Sequence, residues 1–317
     1  MMTCTYCSRT DANEQFAFKD IFEDEYSLMH CNLCKAYFLD PQPTVAQLEQ
    51  AYDDAYYGTG DKKFNPFIEG MVDQLRLRKA RSFSQLIPTN AKVLDVGCGN
   101  GSFLHYIGKT GQYELHGIEL AGKSADRAAL FSEINLKIGT LKKDDYAKET
   151  FDLISLVHVI EHLSNPKEVL NIVSDIAKKN SVLYLELPNI ESWQARLFKG
   201  NWFHLDAPRH LVFLSRIELQ KKLAERGWKL FKERYNSFQF NPYGMQQSLL
   251  NALGFKRELL YEKLKGNTQY TKGHSATLIL LQMLFMGVSF PFFFMGDLVA
   301  STFKKGGTLK LYFRKID

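Results

Sequence analysis

The chain has 317 residues, 45% of them apolar and 24% charged, with a net charge of +5 at neutral pH. Those proportions exclude a disordered, fibrous or disulfide-dense chain and leave room for a sizeable core with accessory modules. A charge this mild permits attraction to anionic lipid or phosphate but gives no basis for nucleic-acid binding, and none is expected.

The opening stretch, MMTCTYCSRTDANEQ, has no basic start followed by an apolar run. No secretory signal is therefore expected, and the folded body is placed in the cytosol. In that reducing compartment the two C-x2-C pairs, Cys4/Cys7 and Cys31/Cys34, point to metal, with a redox pair as the alternative. Four thiolates suit tetrahedral zinc, and the aromatic, strand-like FAFKDIFEDEYSLMH between the pairs suits a zinc-ribbon hairpin over residues 1–43. A four-cysteine site leaves no open position for chemistry, so its metal is expected to be structural. Cys98, in a glycine-rich turn, is expected only to fit a tight place.

Residues 44–88 form a helical lead-in: a short helix ending near Tyr52, an aromatic cluster with Tyr56 and Tyr57, and an amphipathic helix over 65–86 with Pro66 in its first turn. From residue 91 strands alternate with helices. KVLDV, ELHGIEL, LKIG, FDLISL, SVLYLELP and WKLFKERYN read as strands, and the helix after Ser215 opens with a Ser215/Glu218 capping box and closes at Gly227. TLKLYFRK, alternating with period two, reads as a seventh strand. The pattern predicts an α/β, doubly wound sheet formed by residues 89–236 with 307–317.

The most specific stretch is VLDVGCGNGSFL. A strand runs into Asp95, and Gly97, Gly99 and Gly101 then form a turn that opens a helix, where the backbone can take unusual angles and a ligand can approach helix N–H groups. Glu119 ends the next strand, where a carboxylate can accept both hydroxyls of a ribose. The turn reads D-x-G-x-G-x-G rather than G-x-G-x-x-G. A carboxylate at its start would repel a pyrophosphate but attract the sulfonium and ammonium of S-adenosylmethionine.

Through VLDVGCGNGSFL, FDLISLVHVIEHLSNP and LYLELPN the chain resembles the class I S-adenosylmethionine-dependent methyltransferases, in the branch that includes the ubiquinone-biosynthesis O-methyltransferases and bacterial relatives. The resemblance covers residues 90–236 and the final strand. It implies a Rossmann-like seven-stranded sheet, with Asp95, Gly97, Gly99 and Gly101 around the methionine part of the cofactor, Glu119 on the ribose and His158 beside the cofactor. Relatives usually carry an acidic residue after the third strand for the adenine amino group. Here GTLKKDDY presents Thr140 and Leu141 first and Asp144 later, and Thr140 stands in the cofactor set.

Methyl transfer to oxygen needs a base, a task suited to histidine. Glu161 and His162 in HVIEHLSNP fall at the carboxyl end of the fourth sheet strand, and NWFHLDAPRHLVFLS brings His204, Asp206, Arg209 and His210 to the same edge. His210 ranks first as the base, because PRHLVFLS is similar to a recurring segment of bacterial relatives, followed by His162 and Glu161. Arg209 either holds an anionic substrate group or pairs with Asp206. Tyr57 resembles part of an aromatic lid, with ordinary packing as the alternative.

Residues 237–306 interrupt the last two strands and contain the uncharged SATLILLQMLFMGVSFPFFFMG. If those strands pair, both ends of the insertion return to one side, which excludes a single span. A monotopic hairpin over about residues 275–302, broken between Gly287 and Pro291 and flanked by Lys272, Lys304 and Lys305, is expected on the cytoplasmic membrane face. A core helix or a homo-oligomer interface is the alternative. NPYGMQQSLLNALG is expected to lie on the interface as an amphipathic helix. Together these readings describe a methyltransferase acting on a hydroxyl of a membrane lipid or lipid-linked saccharide. The alternatives are O-methylation of a prenylated quinone precursor and a non-catalytic membrane-bound scaffold that retains the fold.

Overall fold

The computed structural model describes residues 3–52 and 66–316. Strands β1 (Ala12–Lys19), β2 (Glu25–Cys31) and β3 (Tyr37–Asp40) form an antiparallel meander. Helix α1 (Val45–Ala51) starts with a capping box between Thr44 and Gln47. Tyr56 and Tyr57 lie outside the described residues.

Helix α2 (Pro66–Ser84) leads into the catalytic layer: β4 (Lys92–Val96), α3 (Ser102–Gly108), β5 (Glu114–Glu119), α4 (Lys123–Ala128), β6 (Ile134–Ile138), β7 (Phe151–Val157), α5 (Pro166–Ile176), β8 (Ala177–Pro188), α6 (Trp193–Phe198), β9 (Val212–Phe213), α7 (Arg216–Ala224) and β10 (Trp228–Arg234). Local chemistry sets several boundaries. Asn165 caps α5 by accepting from Glu168 N–H, with Pro166 at the first turn, and Ser215 caps α7 by accepting from Glu218 N–H. The insertion contributes α8 (Asn241–Ala252), α9 (Leu259–Lys265), α10 (Thr268–Thr271) and α11 (Ala276–Thr302), followed by β11 (Thr308–Lys315).

The seven-stranded sheet has the order β10-β11-β8-β7-β4-β5-β6. Its β4, β5, β6, β7 and β8 pair in parallel, whereas β11 is antiparallel to both β8 and β10. This is the doubly wound Rossmann-like arrangement expected, with the expected seventh strand inserted beside the sixth. The central strands read as near-continuous apolar runs because helices cover both sheet faces: Leu94, Leu153, Ile154, Leu183 and Leu311 are fully buried.

Two expectations about the insertion are corrected. The apolar run is one continuous 27-residue helix rather than a hairpin. Pro291 removes one backbone donor, yet its turn is supported by Ser289 Oγ, which donates to Phe285 O (2.7 Å). The loss of one hydrogen bond does not break a helix this long. Helix α8 does not lie on a surface: Asn241, Gln246, Gln247, Ser248 and Asn251 are buried between α11 and the catalytic loop. Gln246 Nε2 donates to Met286 O and Ser289 Oγ, Asn241 Nδ2 to Asp297 Oδ1 and Asn251 Nδ2 to Asn201 O, while Gln247 donates to Asn251 within α8.

The cysteine-bearing meander is not an appendage. Its four-stranded sheet, β1-β2-β3-β9, borrows β9 from the loop that carries His210. Tyr37 pairs with Phe213 and Phe38 with Val212.

Candidate active site

The glycine turn between β4 and α3 has left-handed φ values of 69° at Gly97, 56° at Gly99 and 74° at Gly101. A Cβ on Gly97 would come within 2.5 Å of Val159 Cγ2, whereas a Cβ on Gly99 would project into open space. The turn thus leaves a cradle on one side while packing against the end of β7 on the other. Asp95, 3% exposed, accepts from Ser155 Oγ (2.6 Å), and burial pushes its pKa up to about 7. Glu119 stands at the neighbouring strand end and accepts from Gly99 N–H (2.6 Å) and Leu120 N–H (3.1 Å). Burial raises its pKa as well.

A buried acid and a half-buried one, beside an open glycine turn and an adjacent strand end, are suited to the ammonium, sulfonium and ribose of S-adenosylmethionine. Among the expected adenine contacts, Thr140 and Asp144 are exposed while Leu141 is buried in the core. Cys98 is packed beneath Gly117, and burial raises its thiol pKa, so it remains a small structural residue.

The histidines gather at the carboxyl ends of β7 and β8. His158 has a left-handed φ of 54°, and its N–H donates to Glu186 O (2.8 Å). A 3-10 turn, Ile160–His162, then carries Glu161, 1% exposed, whose Oε1 accepts from His158 Nδ1 (3.0 Å). His162 Nδ1 donates to Arg209 O (3.0 Å), with the Tyr52 hydroxyl 2.9 Å away, and its ring meets that of His210 edge-on with centroids 4.6 Å apart. Polar atoms of Glu161, His162 and His210 lie within 4.8 Å of one another. The expected convergence of the two polar segments is therefore observed.

Individual roles differ. His210 Nδ1 donates to His204 O (2.9 Å), and its Nε2 faces Asp206 Oδ2 at 3.6 Å. Arg209, 2% exposed, is clamped to Asp206 and donates to Ala51 O (3.0 Å), so it ties α1 to the loop. His204 lies against α8, where a Cβ on Gly244 would run into its ring. Burial lowers the pKa of His204 to about 3; burial, with the charge of His210, lowers that of His162 to about 4.

Sequence reasoning passed over Glu186 in LYLELP, although a carboxylate inside a buried apolar strand is a visible signal. It accepts from Tyr184 OH (2.5 Å) and pairs with Lys79 (3.1 Å) and Lys310 (3.4 Å). Burial opposes its charge, but the two lysines and His158 hold its pKa down at about 2. Phe240, packed edge-on against His158 at 4.9 Å, had no local signal.

In the antiparallel meander, Cys4 Sγ lies 3.5 Å from Cys34 Sγ and Cys7 Sγ 3.6 Å from Cys31 Sγ. All four sulfurs fall within 4.8 Å of one another. With Zn–S bonds of about 2.3 Å, tetrahedral sulfurs stand roughly 3.8 Å apart, so this cysteine set fits zinc.

The sheet order, the glycine turn and the acidic strand ends define a class I methyltransferase. Residues 71–233 match the family described as "Methyltransferase domain", and the chain belongs to it as an S-adenosylmethionine-dependent methyltransferase. It is 24% identical over 204 residues to the ubiquinone biosynthesis O-methyltransferase of Hydrogenovibrio crunogenus, covering 61% of this chain and 83% of that one. The corresponding enzyme of Neisseria meningitidis is 24% identical over 105 residues, 31% of this chain, and the match spans only 44% of the relative's length. Among solved structures, geranyl diphosphate C-methyltransferase from Streptomyces coelicolor is similar over 83% of this chain and 88% of that one, at 10% identity and a TM-score of 0.48.

Two expectations follow for the cofactor cradle. Gly97→Ala is expected to destabilise the fold as well as weaken cofactor binding, because its methyl group meets Val159. Gly99→Ala should cost only about 1–2 kcal/mol of backbone strain while its methyl group enters the cradle. Thermal melts paired with S-adenosylhomocysteine calorimetry separate the two; unchanged affinity in Gly99→Ala would show that the ligand does not use the cradle.

A cationic ligand beside Asp95 favours the ionised carboxylate, so binding is coupled to proton release below the raised pKa. The affinity for S-adenosylhomocysteine is expected to increase as pH rises towards about 7, by up to about tenfold per unit, and then to level off. Calorimetry across that interval checks the sign. A flat profile in the wild type would remove Asp95 from the binding site.

Proposed function

We propose that this methyltransferase works on the cytoplasmic face of a membrane and transfers its methyl group to a hydroxyl of a lipid or lipid-linked saccharide. The observation that carries the reading is the inverted polarity of α11. Gln282 and Asp297 are buried against the body of the protein, and Asn241 Nδ2 donates to Asp297 Oδ1 (2.7 Å). Phe292 is 85% exposed and Val288 72%, with Leu284, Leu280, Met295 and Phe303 on the same outward side. Water favours the opposite arrangement, whereas lipid favours polar groups turned inward.

Both ends of α11 belong to one folded body, through the packing of α9 on one side and β11 on the other. The helix is therefore monotopic on this reading, with Lys272, Lys304 and Lys305 near its ends among the headgroups. Residues 1–43 serve as a zinc ribbon, 44–88 as the lead-in and lid, 89–236 with 307–317 as the catalytic unit, and 237–306 as the docking insertion. The Cys4, Cys7, Cys31 and Cys34 site holds structural zinc.

Bound S-adenosylmethionine supplies an electrophilic methyl group. Asp95 and Glu119 would hold its cationic and ribose parts, and the histidine edge would accept the hydroxyl proton of the acceptor. A prenylated quinone precursor is a second reading, favoured by relatives named for ubiquinone biosynthesis.

The test incubates purified protein with methyl-labelled S-adenosylmethionine and detergent-extracted lipids from the source organism, followed by mass spectrometry of the lipid phase. A lipid or glycolipid gaining one methyl mass is expected. A labelled quinone precursor would establish the second reading, and exclusive labelling of water-soluble acceptors would refute both.

A further inference from the structure

Which group accepts the acceptor's proton can be argued from the hydrogen bonds of the histidine edge. His210 donates from Nδ1 to His204 O, and its Nε2 faces the Asp206 carboxylate 3.6 Å away. His162 donates from Nδ1 to a backbone carbonyl, which orients the ring but carries no full charge to balance an imidazolium. His158 differs on both counts. Its Nδ1 meets the carboxylate of Glu161 at 3.0 Å, while its Nε2 is buried and has no hydrogen-bond partner among the described residues.

We propose that His158, held by Glu161, is the catalytic base that takes the acceptor hydroxyl proton on Nε2. The proposal rests on the O-methylation reading above. An ionised Glu161 fixes the proton on Nδ1 and leaves the Nε2 lone pair free, the arrangement a general base requires. Placement supports the same atom. Val159, the next residue, packs directly on Gly97, so His158 adjoins the glycine turn on its packed side. Its left-handed backbone is a strained conformation retained at the strand end by the bond to Glu186 O. Phe240 covers one edge of the ring and limits its motion.

In the transfer, the acceptor oxygen bonds to the methyl carbon as the carbon–sulfur bond breaks, with its electron pair remaining on sulfur. The hydroxyl proton moves to His158 Nε2, Glu161 balances the imidazolium, and the proton then passes to solvent. The charged and titratable groups around the ring are Glu161 on its own turn, Glu186 on β8, Lys79 on α2 and His204 on the loop facing α8. Burial and Lys79 oppose the imidazolium, but the hydrogen bond and charge of Glu161, with the charge of Glu186, hold the pKa of His158 above the ordinary histidine value. The rate should consequently rise with pH through that raised pKa and then level off.

The first test needs no acceptor: nitrogen-15 histidine NMR of the full chain. The neutral His158 ring is expected as the Nδ1–H tautomer, and Glu161→Gln is expected to lower its pKa and disturb that tautomer. A neutral Nε2–H tautomer in the wild type would overturn the proposal. The second test uses the lipid fraction that accepts label. His158→Gln is expected to lower kcat by about 10²–10⁴-fold, and added imidazole should restore part of the rate to His158→Ala. In Glu161→Gln the acid limb should move to lower pH.

An acid limb that survives His158→Gln would refute the assignment. So would activity abolished by a chelator and restored by a divalent cation, because Glu161 would then serve the cation. A methyl group found on carbon or amine nitrogen instead refutes the O-methylation reading, and is recognised from product fragmentation rather than from the histidine variants.

Discussion

Stripping zinc from the proposed Cys4, Cys7, Cys31 and Cys34 site is expected to unfold the ribbon and abolish most methyl transfer while leaving cofactor binding largely intact. Structural zinc sites contribute about 10–16 kcal/mol of apparent binding energy in isolated peptides, which is folding energy for a unit this small. The route from zinc to catalysis is traceable. Leu39 N–H donates to Leu211 O (3.1 Å), Leu211 N–H donates to Glu161 O (2.7 Å), and Lys222 Nζ donates to Cys34 O (2.8 Å). The ribbon therefore fixes the residue next to His210 and, through it, the Glu161 turn.

Displacing such a loop by about 1 Å can cost about 100-fold in rate, so a loss of at least about that size is expected. Metal analysis should find one zinc per chain. A chelator titration followed by circular dichroism, turnover and S-adenosylhomocysteine calorimetry then reads the three consequences. Full activity after complete zinc removal would refute the buttressing role, and a zinc-free protein with an intact ribbon would refute the metal site itself.

Charges on the outward face of α11 are expected to release the enzyme from membranes. In Leu284→Glu/Val288→Glu/Phe292→Glu every substituted side chain is exposed, at 61%, 72% and 85%, so the fold should keep its melting temperature. Each carboxylate opposes lipid burial by about 2–3 kcal/mol at depth and less near the interface, so together they should weaken vesicle binding by at least about 100-fold. Flotation with vesicles containing anionic lipid measures it. If the wild type fails to float yet forms a dimer that the triple substitution dissociates, the apolar face belongs to a second copy of the chain instead.

The parts of the fold that could be read from the sequence are those whose signal is local. KVLDV, FDLISL and TLKLYFRK announce strands by composition or alternation, and the Asp95-to-Gly101 turn combines a strand end, unusual backbone angles and a helix start within a few residues. The paired cysteines likewise imply their sulfur cluster. Long-range partnerships were not readable. Val212 and Phe213 form too short a strand to show a period, and only the folded chain brings them to Tyr37 and Phe38. The continuity of α11 through Pro291 rests on the length of the helix and on the Ser289 hydroxyl bond to Phe285 O, whereas a proline within a glycine-containing apolar run reads locally as a break. Helix α8 was misjudged because its polar side chains find partners on α11 and on the catalytic loop. The Glu161–His158 hydrogen bond spans only a turn, yet it requires a left-handed His158, which nothing in HVIEH specifies.

The position of β11 has a consequence for biosynthesis. It lies between β8 and β10 and pairs with both, but follows α11 in the chain. During translation the sheet must therefore wait, with both of those strand edges unpaired, until the apolar helix has left the ribosome. Exposed edges and an uncovered apolar helix are each aggregation hazards, and here they coincide in time. On the proposed docking of α11, synthesis close to a bilayer would remove the second hazard before the strand arrives to remove the first, and the membrane would then take part in the folding of the chain.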